Sequence, residues 1–166
     1  RTEGGELRVY PLVETIHRNH ICHMVLCPAP VSEDVARKAR VLAEKVLAAF
    51  EGAGVFAIEM FLVGEEVLVN EVAPRVHNSG HLTLEACETS QFEQHIRAIA
   101  GLPLGNTDMK VPAAVMVNIL GERDGTAEPK GVEEAEKIAG VKVHIYGKME
   151  TRRERKMGHI TAIADT

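Results

Sequence analysis

The sequence predicts an α+β fold built as two unequal units. Three features carry that prediction: strand-periodic runs ahead of one long amphipathic helix, an acidic hairpin pattern directly after that helix, and a change of character near Val111. Residues 7–13 (LRVYPLV) and 21–26 (ICHMVL) read as antiparallel strands, joined by a polar connection holding His17, Arg18, Asn19 and His20. Pro28 and Pro30 end the second strand, and Ser32 with Asp34 starts a helix running to about Phe50. Val35, Ala39, Leu42, Val46 and Leu47 recur on it at helical spacing, and Gly52 and Gly54 stop it. Residues 55–62 and 67–72 form a hairpin with Gly64 and Glu65 in its turn. Ser90, with Glu93 three positions on, caps a further helix that Gly101 and Pro103 close. Phe92, Ile96 and Ile99 give that helix its apolar side, which leaves Gln91, Gln94, His95 and Arg97 for a solvated or inter-segment face. Beyond Val111 come a buried-strand run (residues 113–120), a polar loop (121–130), a short helix (131–138) and strands at 141–146 and 159–164.

At 166 residues and 45% hydrophobic content the chain is long enough to bury a substantial core. Its apolar runs are short and broken by charge, so no membrane span is expected, and Arg1, Thr2 and Glu3 do not open a signal peptide. Cys22, Cys27 and Cys87 lack metal-type spacing and read as reduced, structural thiols of a cytoplasmic or plastid protein. A net charge of -5 argues against nucleic-acid binding. Lys148, Arg152, Arg153, Arg155 and Lys156 nevertheless outnumber Glu150 and Glu154 locally, a basic patch suited to a small anionic substrate. The chain starts without methionine and reads as a piece of something longer.

The chemistry concentrates between residues 59 and 81. Glu59 and Glu71 are separated by an even number of positions, which strand periodicity places on one face. Converging carboxylates repel unless a cation lies between them, and hard oxygen ligands suit Mg2+ with phosphates and water completing its shell. The bland alternative is a hairpin whose acids face solvent. The loop that follows, Ala73 to His81, adds a cation, two imidazoles, an amide and a hydroxyl. Arg75 offers a fork of donors matching carboxylate, bicarbonate or phosphate, and His77 and His81 can donate a hydrogen bond or move a proton near neutral pH. A zinc site on His77 and His81 lacks a supporting third ligand.

NEVAPRVHNSGH followed by TSQFEQHIRAIAGLPLG resembles the carboxyl-terminal half of the ATP-grasp 5-(carboxyamino)imidazole ribonucleotide synthases, the PurK type. RTEGGELRVYPLVETIHRNHICHMVL and GKMETRRERKMGHIT are similar to the same family, so the resemblance spans nearly the whole chain. The wording is nearest to the plant, algal and fungal version, in which a PurE-type domain follows. The resemblance implies the second half of an ATP-grasp domain over residues 1–108 and a small carboxyl-terminal α/β domain over 109–166. It also implies ATP and Mg2+ as cofactors, with Glu59 and Glu71 on the metal, Asn70 and Glu71 along the nucleotide phosphates, and His17 near the nucleotide. Arg75 would hold bicarbonate or carboxyphosphate beside His77, and Lys148 and Arg155, with Lys156, would grip aminoimidazole ribonucleotide. Wider relatives carry an asparagine two positions after the second glutamate. Ala73 stands there instead, which leaves two glutamates, phosphate oxygens and water for the metal. The implied reaction is ATP- and bicarbonate-dependent carboxylation of the ribonucleotide in purine biosynthesis, with the isolated chain inactive for want of the amino-terminal part. Two rivals are the formate-using glycinamide ribonucleotide branch and a non-catalytic nucleotide-binding or assembly domain; a homodimer contact is left open.

Overall fold

The computed structural model describes residues 1–164. The chain opens with a hairpin of β1 (Glu14–Arg18) and β2 (Ile21–Cys27). Its loop is the two residues Asn19 and His20, both at positive φ (49° and 64°), as the primed turns of tight hairpins require. The first strand is therefore ETIHR, and residues 7–13, expected as a strand, lie outside any ladder. Pro11 has no N–H to offer a ladder, and the carbonyls are taken elsewhere: Thr107 Oγ1 donates to Val9 O at 2.8 Å and Ala29 N to Leu12 O at 2.7 Å.

Helix α1 (Glu33–Ala48) is capped by Ser32, whose hydroxyl accepts from Val35 N, and buries Val35 and Ala39. The acidic hairpin of β3 (Ala57–Val63) and β4 (Glu66–Ala73) turns at Gly64, φ 64°. A 3-10 turn (Asn78–Gly80) and the short α2 (Thr83–Ala86) follow, then α3 (Gln91–Ile99). The rest is β5 (Ala114–Leu120), β6 (Gly125–Thr126), α4 (Val132–Glu136), β7 (Val141–Ile145), β8 (Glu150–Thr151) and β9 (Lys156–Ile163). One antiparallel sheet in the order β1-β2-β5-β9-β7 runs through both sequence units, because β2 pairs with β5 across the expected division at residue 108. The core forms where Leu82 and Ala86 press Val25, Cys27, Ala114 and Met116 of that sheet.

Helix α3 lies the opposite way from its sequence pattern. Gln91 and Gln94 are 2% and 3% exposed, whereas Ile96 and Ile99 are 58% and 54% exposed. The buried amides are fully used. Gln94 donates to Gly105 O at 2.9 Å and accepts from Gly105 N at 2.8 Å. Gln91 does the same for His77, accepting from its N at 2.9 Å and donating to its O at 2.8 Å. A side-chain amide reproduces a peptide's donor and acceptor, so a loop with no ladder partner can be buried against a glutamine at little net cost. Gly80 leaves room for this, since a Cβ there would stand 2.5 Å from Gln91 Oε1.

Between α2, α3 and the sheet lies a row of stacked rings. His81 stacks on Phe92 at 5.4 Å and on His159 at 5.0 Å, and His159 stacks on His144 at 4.6 Å. His144 Nε2 meets Glu85 Oε1 at 2.8 Å, and the Tyr146 hydroxyl meets His159 Nδ1 at 2.9 Å. Burial pushes His81 and His159 down to about 4, with the Lys156 ammonium adding to it at His81 and the neighbouring imidazoles at both.

Two outcomes follow for stability. Gln94→Ala strips both partners from Gly105 and is expected to cost about 2–3 kcal/mol in urea unfolding, whereas Ile96→Ser stays within about 0.5 kcal/mol. His159 is neutral in the folded chain and ordinary, at 6.5, in the unfolded one. The unfolded state therefore gains the proton first, so stability is level above pH 6.5 and falls as the pH drops toward 4. The loss is of the order of 3 kcal/mol for this imidazole, and denaturation of His159→Phe at successive pH values should show a flatter profile than the parent.

Candidate active site

Glu59 and Glu71 are direct cross-strand partners, so their side chains leave the same face of the β3–β4 hairpin. Even spacing alone does not produce this. From the turn inward the pairs are Val63 with Glu66, Leu62 with Val67, Phe61 with Leu68 and Met60 with Val69, a register that would set Glu59 against Asn70. A bulge between Glu59 and Met60 leaves Asn70 as the extra residue and advances the register by one. Glu71 is thereby turned to the side of Glu59. Asn70 Nδ2 donates to Glu59 Oε2 at 3.3 Å, which orients one carboxylate.

The loop after β4 supplies a third group. Glu59, Glu71 and His77 each bring a ligand atom within 4.8 Å of the others. His77 Nδ1 meets Ser79 Oγ at 2.9 Å and Nε2 faces Glu59 Oε1 at 3.5 Å; in the tautomer that donates from Nδ1 to the Ser79 hydroxyl, the Nε2 lone pair is turned to the carboxylates. Burial lowers the His77 pKa; the nearby Glu59 opposes this, while Arg75 and Lys156 reinforce it. A neutral imidazole beside two carboxylates is a donor set that fits a divalent cation, with positions left for phosphate oxygens and water. His77 thus stands in the third place, which Ala73, buried at 7% exposure, cannot fill. His81 points away into the ring stack and shares no site with His77.

Glu59 and His77 open on a polar cleft of about 420 Å3 lined also by Thr15, His17, Cys22 and Lys156, among others, while Glu71 stands beside Glu59 outside that lining. His17 reaches it from β1 and Lys156 from the start of β9. Burial lowers the Lys156 pKa, and Lys156 Nζ donates to Asn78 Oδ1 at 2.9 Å. A larger groove of about 1100 Å3, lined by α1, β3 and residues of the 8–13 segment, meets the same carboxylate end at Glu59, Asn70 and His77.

The other expected residues stand outside the polar cleft's lining. Arg75 is exposed and donates to Val76 O at 3.1 Å. Lys148 Nζ donates to Lys156 O at 2.5 Å and lies 5.6 Å from the Tyr146 ring centre, and Arg155 Nη1 donates to Glu150 O at 2.7 Å. Lys148 and Arg155 therefore brace the chain around Lys156. Asn78 and Ser79 are the amide and hydroxyl of the Ala73–His81 loop; Gln91, which the sequence leaves to a solvated or inter-segment face of α3, is the supporting residue that sequence reasoning misses.

Binding of Mn2+, used as a spectroscopic probe of the divalent site, is expected to weaken by at least about tenfold in Glu71→Gln and again in Glu59→Gln. Electron paramagnetic resonance titration measures both. An unchanged affinity in either variant would remove that carboxylate from the ligand set.

Residues 1–92 match the ATP-grasp domain family and residues 114–166 match the phosphoribosylaminoimidazole carboxylase C-terminal domain. The chain is 46% identical over 172 residues to phosphoribosylaminoimidazole carboxylase of Schizosaccharomyces pombe, covering 100% of this chain and 31% of that protein. It is 49% identical over 162 residues to N5-carboxyaminoimidazole ribonucleotide synthase of Bacillus subtilis, covering 97% of this chain and 41% of that one. The structure of the N5-carboxyaminoimidazole ribonucleotide synthetase from Thermotoga maritima superposes with a TM-score of 0.91 at 51% identity, over 100% of this chain and 45% of that chain. An Aspergillus clavatus N5-carboxyaminoimidazole synthase, solved with ADP and 5-aminoimidazole ribonucleotide, gives a TM-score of 0.88 at 42% identity, over 95% of this chain and 43% of that one. The chain spans less than half the length of these relatives. With more than half of its length matched to the domain family and the fold of these structures reproduced, the chain belongs to the ATP-grasp family.

Proposed function

We propose that this chain forms the metal- and carboxyl-handling half of an enzyme that carboxylates aminoimidazole ribonucleotide with ATP and bicarbonate, and that it works within a longer chain. The observation that carries this reading is the meeting of Glu59, Glu71 and His77, two of which, Glu59 and His77, line a cleft that Lys156 also lines. One wall suits a metal-bound polyphosphate and the other a phosphate or carboxylate anion. The match of residues 114–166 to the carboxylase C-terminal domain favours this reaction over the formate-using glycinamide ribonucleotide branch.

In the proposed reaction Glu59, Glu71 and His77 would hold Mg2+, which would offset the charge of the nucleotide phosphates. Asn70 orients Glu59, and His17 lines the cleft where the nucleotide end lies. A bicarbonate oxygen attacks the γ-phosphorus, ADP leaves, and carboxyphosphate results. Arg75, exposed at the rim two positions before His77, exchanges its bond to Val76 O for the carboxyl oxygens of that species. The exocyclic amine then bonds to the carboxyl carbon and inorganic phosphate departs, carrying the proton the amine gives up, while His77, kept neutral by burial, stays beside the reacting carboxyl group as part of the carboxylate wall. Lys156 meets the ribonucleotide phosphate inside the cleft, while Lys148 and Arg155 exchange their carbonyl partners for it at the edge. Catalysis here rests on positioning and charge compensation. A PurE-type domain, as the fused relatives would supply, would take the product onward.

The test is phosphate release from ATP and bicarbonate by the longer chain, with and without aminoimidazole ribonucleotide. Stimulation by the ribonucleotide is expected, falling by about a hundredfold in Arg75→Ala and Lys148→Ala. Stimulation only by formate with glycinamide ribonucleotide, or none at all, would overturn the reading.

A further inference from the structure

Asn118 sits in the middle of β5, 4% exposed, where the strand is otherwise apolar. Asparagine is a poor strand former, and a buried amide is tolerated only when its hydrogen bonds are made. All of the polar edge of this one is engaged. Nδ2 donates to Cys22 O at 2.9 Å and to Asn78 Oδ1 at 2.8 Å, and Oδ1 accepts from Asn78 Nδ2 at 2.8 Å. The two amides therefore form a reciprocal pair joining the loop after β4 to the central sheet.

The direction of that pair is fixed. An amide can present its oxygen and nitrogen in either order, and its partners decide which. Here the Cys22 carbonyl can only accept, so it demands the nitrogen of Asn118 on its side. Asn118 so oriented demands the oxygen of Asn78 in return. That oxygen is the atom that receives Lys156 Nζ at 2.9 Å. With the pair reversed, an NH2 group would face the ammonium and repel it. A main-chain carbonyl on β2 thus sets, through two side chains, the acceptor that holds a cation at the cleft. No ion pair joins Lys156 to Glu59 among the described residues, although both line that cleft, so Asn78 is the group that fixes where the ammonium stands.

We propose that Asn118 is a positioning residue for anion binding: it orients Asn78 so that Lys156 is presented to the phosphate of the ribonucleotide. This rests on the reading of Lys156 as a phosphate-binding group given above. Asn118 touches neither substrate nor metal. It acts on the cationic wall of the cleft, whereas the carboxylate wall has its own supports in the β3–β4 bulge and in Gln91, which holds the backbone of His77 at both its N–H and its carbonyl.

The experiment is a double-mutant cycle in the longer chain with Asn118→Leu, Lys156→Met and the pair together. Asn118→Leu is expected to raise the KM for the ribonucleotide about tenfold, one charge-assisted hydrogen bond's worth, and to leave the KM for Mg–ATP within about twofold. The pair should be no worse than Lys156→Met alone, because the two residues act through one contact. Additive effects in the pair, or equal weakening of both ligands by Asn118→Leu, would overturn the proposal, the second outcome meaning that Asn118 only supports the fold. Should Asn118→Leu fail to fold, Asn118→Asp keeps the volume while giving up both donations, and the same pattern is expected of it. Inorganic phosphate binding, followed by calorimetry through the same cycle, does not depend on turnover. If the unaltered chain shows no ribonucleotide-dependent turnover, the functional reading fails by itself, and the phosphate cycle still decides the role of Asn118: coupled losses support it and independent losses end it.

Discussion

One extra residue in a hairpin decides which side of the sheet carries the charge. Without the bulge opposite Glu59, a two-residue turn would set Asn70 across from Glu59 and send Glu71 to the other face. Two carboxylates on one face repel, and a fold does not bring them together for its own stability. The hairpin is thus strained electrostatically in favour of a ligand. Everything placed around it serves that arrangement: Asn70 ties down one carboxylate, Ser79 fixes the nitrogen that His77 turns toward them, and Gln91 holds the backbone of His77 at both its N–H and its carbonyl.

The positioning elements are mostly polar groups buried out of water. Gln91, Gln94 and Asn118 are each almost fully buried and each has its amide matched, two of them to backbone and one to a second amide as well as to backbone. Apolar packing is nearly indifferent to rotation and small slides, whereas a reciprocal amide pair holds only in one register. The loop of residues 74–81 lies between the acidic hairpin and the five-stranded sheet and belongs to neither ladder. Buried amides from α3 and β5 give it the definition that a ladder would otherwise supply.

The sequence revealed the parts that depend on local rules. Ser32 and Ser90 cap their helices as read, since a cap needs only a hydroxyl and the amide three positions on. The Gly64 turn and the strands of the last third fall within a few residues of their expected places. What sequence periodicity could not reach depended on distant partners. Residues 7–13 have a strand's composition, but their carbonyls are claimed by Thr107 and Ala29. Helix α3 has a clean apolar stripe, yet it turns Gln91 and Gln94 inward because two loops need their amides. The even spacing of Glu59 and Glu71 points to one face, but in this hairpin it is the bulge that makes them meet, a feature spacing does not disclose. At the site, Glu59, His77 and His17 line one cleft with Lys156, Glu71 and Asn70 stand beside Glu59 on the hairpin, and Lys148 and Arg155 stay outside that lining, held by main-chain carbonyls.

The reversed face of α3 and the crowded charge of the hairpin are two sides of one condition. A surface bearing Ile96, Ile99, Phe61, Leu62 and Val63 in the open carries more apolar area at these elements than an isolated chain would choose. The relatives are more than twice as long as the part of them this chain matches. Placing polar groups inward at α3 costs little because each finds a partner, whereas the outward apolar groups gain only when covered. The energetic asymmetry therefore runs toward association. Phe61 and Leu62 line the larger groove together with Glu59, so covering them would also exclude water from the carboxylate end and strengthen its attraction for a cation, which couples covering of that surface to ligand binding.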